Sequence, residues 1–88
     1  MTWTIEWDEN AVKELSKLDR GIQKRIVQYL KKLTAESADP RDKGKSLSGV
    51  LSGLWRYRVG DFRLVCKLED HRLVVLVVKV GHRRGVYR

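Results

Sequence analysis

Apolar positions in the first third of the chain change from alternation to helical spacing. Residues 2–7 alternate apolar with polar side chains, which predicts a short strand. Asp8 and Asp19 then stand where helix N-caps are expected, each ahead of apolar residues at helical spacing. The longer of the two apolar stripes consists of Ile22, Ile26, Tyr29, Leu30 and Leu33. The pattern therefore predicts a strand, a short helix and a longer second helix.

The C-terminal half contains three strand patterns in close succession, at residues 54–59, 62–68 and 72–80. A Gly60-Asp61 pair between the first two fits a type II′ hairpin turn. The third pattern is apolar on both faces, as expected of a strand in the middle of a sheet. Strict alternation along it places Val80 on the face opposite to Val75 and Val77.

The segment between the second helix and these strands has no apolar periodicity. Residues 38–53 contain Pro40 and are rich in Gly and Ser, so a mobile loop is expected there. Because 88 residues suffice for one hydrophobic core, we assign residues 1–88 to a single domain. We expect an α+β fold of the order β-α-α-β-β-β, with two helices packed on a mainly antiparallel four-stranded sheet.

The charge balance predicts an anionic partner. The chain has 19 Lys and Arg residues against 11 Asp and Glu, a net charge of +8, which favours nucleic acid or an acidic protein. Its longest apolar run, residues 73–78, is too short to cross a membrane, and an acidic N-terminal stretch argues against a signal peptide. We therefore expect a cytoplasmic location. With one cysteine and two histidines, no disulfide, metal or other cofactor is predicted.

The predicted hairpin separates cations from aromatic side chains. A turn at residues 60–61 places Arg58 opposite Arg63, and side chains two apart share a face. One side of the hairpin therefore carries Arg56, Arg58, Arg63 and Lys67. Like charges opposite each other destabilise a sheet, so the cluster predicts an anion site, and guanidinium groups suit bidentate phosphate contacts. The alternative is an exposed sheet face that is neutralised by Asp42, Glu69 or Asp70.

The C-terminal stretch VGHRRGVYR adds further cations and a ring. Arg83 and Arg84 next to Tyr87 are typical of a site for single-stranded nucleic acid. Tyr87 fits a hydrophobic plug equally well, and His82 alone is weak evidence for catalysis. More cations occupy the polar face of the second helix and the loop after it, where they form either a solvated surface or a path for phosphates. They are Lys24, Arg25, Lys31, Lys32, Lys43 and Lys45.

The order of the elements, together with WRYRVGDFRLV and VGHRRGVY, resembles the RelE/ParE superfamily of bacterial and archaeal toxins, and more closely its RelE branch. The resemblance covers nearly the whole chain. It implies a RelE-like fold, similar to microbial ribonucleases, and metal-independent cleavage of mRNA in the ribosomal A site by attack of the 2′-hydroxyl. It also implies a RelB-like antitoxin, contacts with mRNA and 16S rRNA, and binding of the toxin–antitoxin complex to operator DNA through the antitoxin.

The resemblance also implies roles for individual residues. The family's catalytic positions fall on Arg56, Arg58, Arg63, Arg83 and Tyr87. Secondary candidates nearby are His82, Arg84 and Lys67, and the six cations of the second helix and loop are candidates for contact with RNA or the ribosome. The best-studied relatives have lysine where Arg56 and Arg58 stand, so a general-base role there is not carried over. Two alternatives remain open, a ParE-like inhibitor of DNA gyrase without nuclease activity and a simple nucleic-acid-binding module.

Overall fold

The computed structural model describes residues 2–85, which form two helices and one five-stranded sheet. The elements are β1 (Thr4–Trp7), α1 (Glu9–Ser16), α2 (Arg20–Glu36), β2 (Lys45–Ser46), β3 (Trp55–Val59), β4 (Phe62–Glu69) and β5 (Val74–His82). The strand order is β1-β5-β4-β3-β2, with β1 parallel to β5 and the other neighbours antiparallel. The predicted α+β order is confirmed, but the sheet has five strands, one more than expected. None of the described helices is long and apolar enough to cross a membrane.

Both helices pack on one face of the sheet. The carboxylate of Asp8 caps α1 by accepting a hydrogen bond from the backbone N–H of Asn10 at 3.1 Å, as predicted. Asp19 precedes α2 as predicted, but its side chain makes no capping hydrogen bond. The apolar stripe of α2 buries Ile26 and Leu30 against the aromatic and aliphatic residues of the strands. This layer is the hydrophobic core.

The β3–β4 hairpin has the predicted register. Arg58 lies directly opposite Arg63. Gly60 has a φ of 58°, while Asp61 stays outside the left-handed region, which fits the type II′ turn and excludes type I′. The prediction that the third apolar strand lies inside the sheet is also confirmed, because β5 is paired with β1 on one side and β4 on the other.

A β-bulge in β5 changes which side chains face the core. Cys66 of β4 pairs with Val77. Its neighbour Val65 pairs with Lys79, so Val78 is an extra residue without a partner. Strict alternation therefore fails at this point.

The bulge makes one of the sequence expectations wrong. Val80 is only 2% exposed and belongs to the core on the helix side, with Val75 and Val77 rather than opposite to them. Lys79 instead shares a face with Arg63, because its pairing partner Val65 is two residues from Arg63 on β4.

Residues 38–53 are not the irregular loop that the sequence indicates. They contain two 3₁₀ turns, Pro40–Lys43 and Gly49–Leu51, on either side of β2. Pro40 is buried, and its carbonyl accepts a hydrogen bond of 2.8 Å from the hydroxyl of the fully buried Tyr57. Gly44 permits the close approach, since a Cβ there would lie 2.8 Å from the Tyr57 ring. The segment is thus attached to the core.

An ion pair fastens the same segment to the β4–β5 turn. Arg41 donates two hydrogen bonds to the carboxylate of Asp70, at 3.0 and 2.7 Å, and its guanidinium lies 5.8 Å from the centre of the Trp55 ring. These hydrogen bonds hold the pKa of Asp70 below its usual value of 3.8. We call this pair the Arg41–Asp70 clip.

We expect Tyr57→Phe to lower the free energy of unfolding by about 1 to 3 kcal/mol, because the buried Pro40 carbonyl loses its donor. Urea unfolding measures the change. Tyr29→Phe is the matched control: no hydrogen-bond partner is found for its hydroxyl among residues 2–85, so we expect a change within about 0.5 kcal/mol. Equal stability of Tyr57→Phe and the wild type would show that the hydrogen bond does not anchor the segment.

We expect Asp70→Asn to lower the melting temperature at pH 7 but not in acid. A carboxylate with a lowered pKa in the folded state stabilises the protein above its unfolded pKa, and that contribution is lost as the pH falls through its folded pKa. The melting curves of wild type and Asp70→Asn should therefore converge below pH 3.8. Glu36→Gln removes an exposed carboxylate that is in no ion pair of the described part of the chain and should show no convergence. A constant difference for Asp70→Asn at all pH values would contradict the role of the clip.

Candidate nucleic-acid interface

The sheet face opposite the helices collects cations from four strands. Arg58 and Lys67 are exposed on it, and Arg56 and Arg63 are partly buried. Residues directly opposite each other share a face, which adds Lys45 opposite Arg56, and the bulge adds Lys79. We call this surface the basic face: Lys45, Arg56, Arg58, Arg63, Lys67 and Lys79. The predicted grouping of the hairpin cations on one side is confirmed.

Arginines concentrate where the basic face meets the β3–β4 turn. Arg58, Arg63 and Gly81 form one row across the sheet, and Gly81 places no side chain beside the arginines. The backbone N–H of Arg83 donates to the carbonyl of Asp61 at 2.8 Å, so Arg83 is fixed next to the turn. The guanidinium of Arg25, on α2, reaches the same turn, 3.2 Å from where a Cβ of Gly60 would be.

The guanidinium of Arg63 is oriented by the turn itself. Its Nη1 donates to the carbonyls of Gly60 and Phe62, at 3.1 and 3.0 Å. A planar group that is held in this way loses little further freedom when it contacts an anion. The carbonyls of the turn thus fix the orientation of the Arg63 guanidinium within the arginine cluster.

Three carboxylates at the other end of the sheet are held in ion pairs, while Asp61 lies in the β3–β4 turn. Arg72 pairs with Glu6 at 2.6 Å and with Glu69 at 3.3 Å, and Asp70 is held in the Arg41–Asp70 clip. Glu69 and Asp70 are therefore paired with Arg72 and Arg41, and neither forms an ion pair with Arg56 or Arg58. Within residues 2–85, no carboxylate is within ion-pair distance of Arg56, Arg58 or Arg83.

Arg56 and Arg58 also line a cavity of about 300 Å³ at the edge of the sheet. Its other walls come from α2 and from the segment that the Arg41–Asp70 clip attaches. They are Tyr29, Asp42, Lys43, Gly44 and Lys45. The Nε atom of Arg56 is buried and has no hydrogen-bond partner in the described structure. Asp42, the remaining carboxylate of the neutralisation alternative, shares this cavity but forms no ion pair with the arginines.

The structure does not bring all the secondary candidates to this surface. His82 lies directly opposite Phe62, on the helix side of the sheet, with the two rings 5.8 Å apart in an edge-to-face arrangement. Its Nδ1 accepts a hydrogen bond of 3.4 Å from the backbone of Arg84, which is exposed. Lys67 is on the basic face, but four residues, or about 13 Å, along β4 from Arg63. Tyr87 lies outside the described residues.

The six cations assigned to RNA or ribosome contact divide into three groups. Lys24 and Lys31 are exposed on α2, and Arg25 reaches the β3–β4 turn. The other three line cavities: Lys43 and Lys45 line the one at Arg56 and Arg58, and Lys32 lines a second one along α2. Sequence reasoning assigned Tyr29 only to the core and missed Lys79, because neither the cavity nor the bulge has a local sequence signal.

The chemistry of the surface at the turn is that of anion binding. It presents the guanidinium groups of Arg58, Arg63 and Arg83. Asp61, the carboxylate of the turn, forms no ion pair with Arg58 or Arg83 within residues 2–85, so the surface can stabilise negative charge. Among the described residues, no group of three or more His, Cys, Asp or Glu side chains is placed to hold a metal ion. Cys66 is no nucleophile candidate, because it is buried in the core and burial raises the pKa of its thiol.

Comparison with known proteins places this fold in a family. Residues 5–87 match the family model described as the ParE toxin of the type II toxin–antitoxin system parDE. Toxin RelG of Mycobacterium tuberculosis is 30% identical over 88 residues, which cover all of this chain and 99% of the relative. The mRNA interferase toxin RelE of Escherichia coli is 32% identical over 84 residues, covering 94% of this chain and 85% of the relative.

Solved structures give the same result. The toxin–antitoxin complex RelBE2 of Mycobacterium tuberculosis contains a chain that matches with a TM-score of 0.83 and 28% identity, covering 94% of this chain and 100% of that one. The archaeal RelE–RelB complex of Pyrococcus horikoshii matches with a TM-score of 0.72 and 26% identity, covering 98% and 100%. The helices, the sheet and the sequence agree over nearly the full length, and the chain belongs to the ParE toxin family of type II toxin–antitoxin systems, with RelE and RelG toxins among its relatives.

Proposed function

We propose that this toxin is a ribosome-dependent endoribonuclease that cleaves mRNA in the A site without a metal ion. The observation that carries the proposal is the arginine cluster at the β3–β4 turn, where Arg58 and Arg83 have no carboxylate partner within residues 2–85. A relative at 32% identity bears the name mRNA interferase, which supports the choice of RNA as the anion. An enzyme that acts on ribosomes works in the cytoplasm.

Cleavage without a metal uses the 2′-hydroxyl of the RNA as nucleophile. Its oxygen forms a bond to the adjacent phosphorus while the bond to the 5′-oxygen of the next nucleotide breaks. The 2′-hydroxyl loses its proton, the leaving oxygen gains one, and the products are a 2′,3′-cyclic phosphate and a free 5′-hydroxyl. Between them the phosphorane carries additional negative charge, which fixed cations stabilise more strongly than they stabilise the substrate.

The arginines of the turn are suited to that charge. Arg58 and Arg63 lie side by side on neighbouring strands and hold the non-bridging oxygens of the scissile phosphate. The backbone hydrogen bond from Arg83 to Asp61 fixes Arg83 beside the turn, where its side chain acts near the leaving oxygen. Arg56 adds charge from the next row, and the predicted role of Tyr87 is to stack on or orient a base.

This surface offers few groups for proton transfer. His82 lies on the helix side of the sheet, and the three carboxylates at its far end form ion pairs. The carboxylates nearer the arginines are Asp61 in the turn and Asp42 in the cavity wall. We infer that the toxin contributes charge stabilisation and that the ribosome bends the mRNA so that the 2′-oxygen is aligned with the scissile bond. Because the ribosome supplies the alignment that the toxin lacks, cleavage depends on the ribosome.

A RelB-like antitoxin is the protein partner, since the matching solved structures include RelE–RelB complexes. We infer that its inhibitory segment is amphipathic and acidic and covers the basic face. Opposite charges raise the association rate, so binding should slow as salt is added. Binding of the pair to operator DNA is assigned to the antitoxin.

We expect Arg58→Ala and Arg83→Ala each to reduce mRNA cleavage by about two to three orders of magnitude, as loss of one donor to a transition-state oxyanion does. Both side chains are exposed, so the melting temperature should not change. Primer extension on mRNA after induced expression measures cleavage, and Lys13→Ala, at an exposed position of α1, is the control. Full cleavage by both arginine variants would refute the site. Absence of cleavage by the wild type, together with inhibited DNA supercoiling, would favour the gyrase alternative.

Lysine at position 58 tests whether charge or geometry matters. We expect Arg58→Lys to retain more cleavage than Arg58→Ala, because an exposed ammonium group still contributes a positive charge near the phosphate. The same primer-extension assay compares the two. If both variants are equally inactive, the planar two-pronged contact of arginine is the essential property.

A further inference from the structure

The cavity beside Arg56 and Arg58 continues away from the basic face. A second cavity, of about 360 Å³, shares two of its walls, Tyr29 and Lys43. It extends along the last turns of α2 and is also lined by Lys32, Leu33, Glu36 and Ser37. The two cavities are neighbours, and we call them together the α2 groove. The first of them lies at two of the arginines proposed to act on RNA.

The lining of the α2 groove favours an anionic strand. Five of its side chains are cations and two are carboxylates: Lys32, Lys43, Lys45, Arg56 and Arg58 against Glu36 and Asp42. Such an excess of positive charge attracts a phosphate backbone. Each cavity is at the lower end of the size range of ligand sites in proteins, about 300 to 1,000 Å³.

Tyr29 and Tyr57 are neighbouring rings with different roles. Their centres are 6.3 Å apart with an angle of 58° between the planes. Tyr57 is fully buried and donates its hydroxyl hydrogen bond to Pro40. Tyr29 is only partly buried, and its hydroxyl has no partner within residues 2–85. Burial raises the pKa of Tyr29, so at neutral pH its hydroxyl is a protonated donor.

The walls of the α2 groove are fixed before any ligand arrives. The hydrogen bond from Tyr57 to Pro40 and the Arg41–Asp70 clip hold the segment that carries Lys43 and Lys45. The walls therefore need little rearrangement to accept a ligand.

We propose that the α2 groove binds the RNA nucleotides next to the scissile phosphate, with a phosphate on Lys43 and a base against the ring of Tyr29. The proposal rests on the proposed ribonuclease function and extends it to the path of the substrate. An aromatic ring beside cations is the arrangement that holds single-stranded nucleic acid without reading its sequence. Substrate contacts therefore extend from the basic face onto the helical layer.

A length series of RNA tests the groove. The probes are fluorescein-labelled single-stranded oligonucleotides of two and four nucleotides, with 2′-O-methyl groups that prevent cleavage, and affinity is read from fluorescence polarisation with the full chain. We expect the wild type to bind the longer probe at least threefold more tightly. Tyr29→Leu, which keeps an apolar side chain of high helix propensity, should abolish this gain.

Lys43→Gln is the second variant, and it remains informative if Tyr29→Leu does not fold, because Lys43 is exposed. It should also abolish the gain and lower the slope of log affinity against log salt by about 0.7. Lys13→Gln makes the same change on α1, outside the groove, and should leave both the gain and the slope unchanged.

The outcomes separate the groove from the nuclease function. If both groove variants still bind the four-nucleotide probe more tightly than the two-nucleotide probe, by the same factor as the wild type, the proposal is overturned even when the wild type cleaves mRNA. A gain that depends on Tyr29 in a wild-type protein that cleaves no mRNA supports the groove and refutes the proposed function. If the variants keep the gain but lose affinity for the purified RelB-like antitoxin, the groove is a peptide site and the proposal is wrong.

Discussion

The turn at Gly60 is the constraint on which the candidate site depends. A positive φ at the first position of a two-residue loop sets the β3–β4 register, and a shift by one residue would move every side chain of a strand to the other face. In the observed register Tyr57 and Leu64 are in the core and Arg58 and Arg63 are on the opposite face. The same turn provides carbonyls that orient Arg63 and Arg83. One backbone conformation thus determines both burial and charge placement.

Charge segregation follows from how the ends of the sheet differ. At the β4–β5 end, Arg41 and Arg72 form ion pairs with carboxylates of the strands and the turn. The β3–β4 end holds arginines in like-charged rows, which costs a fraction of a kcal/mol per opposed pair. This cost is small beside the net free energy of unfolding of a folded protein, about 5 to 15 kcal/mol, so a binding surface of this kind is compatible with a stable fold.

Local sequence signals predicted the parts of the fold that depend on local contacts. The cap at Asp8, the apolar stripe of α2 and the Gly60 turn are all formed by residues close together in the chain, and each was found as expected. The arginine grouping followed directly from the turn. It could be predicted because a two-residue turn fixes which residues oppose each other.

Long-range contacts account for what the sequence did not show. The strand β2 exists because Tyr57 and Asp70 attach a Gly- and Ser-rich segment to the sheet from distant positions in the chain. The α2 groove forms between this segment and the helix, so Tyr29 has two roles that helical spacing cannot distinguish. The bulge at Val78 is visible only as a mismatch between two paired strands.

That bulge also gives β5 one residue of tolerance in length. Deleting Val78 would restore regular alternation and leave the pairs on both sides unchanged, because Val77 would still lie opposite Cys66 and Lys79 opposite Val65. The backbone N–H of Arg83 would then still reach Asp61. A second deletion in β5 would have no extra residue to absorb it, so every residue after it would pair one position earlier and change faces. The distance in sequence from β5 to Arg83 can thus shorten by one residue, and no more, without disturbing the arginine cluster.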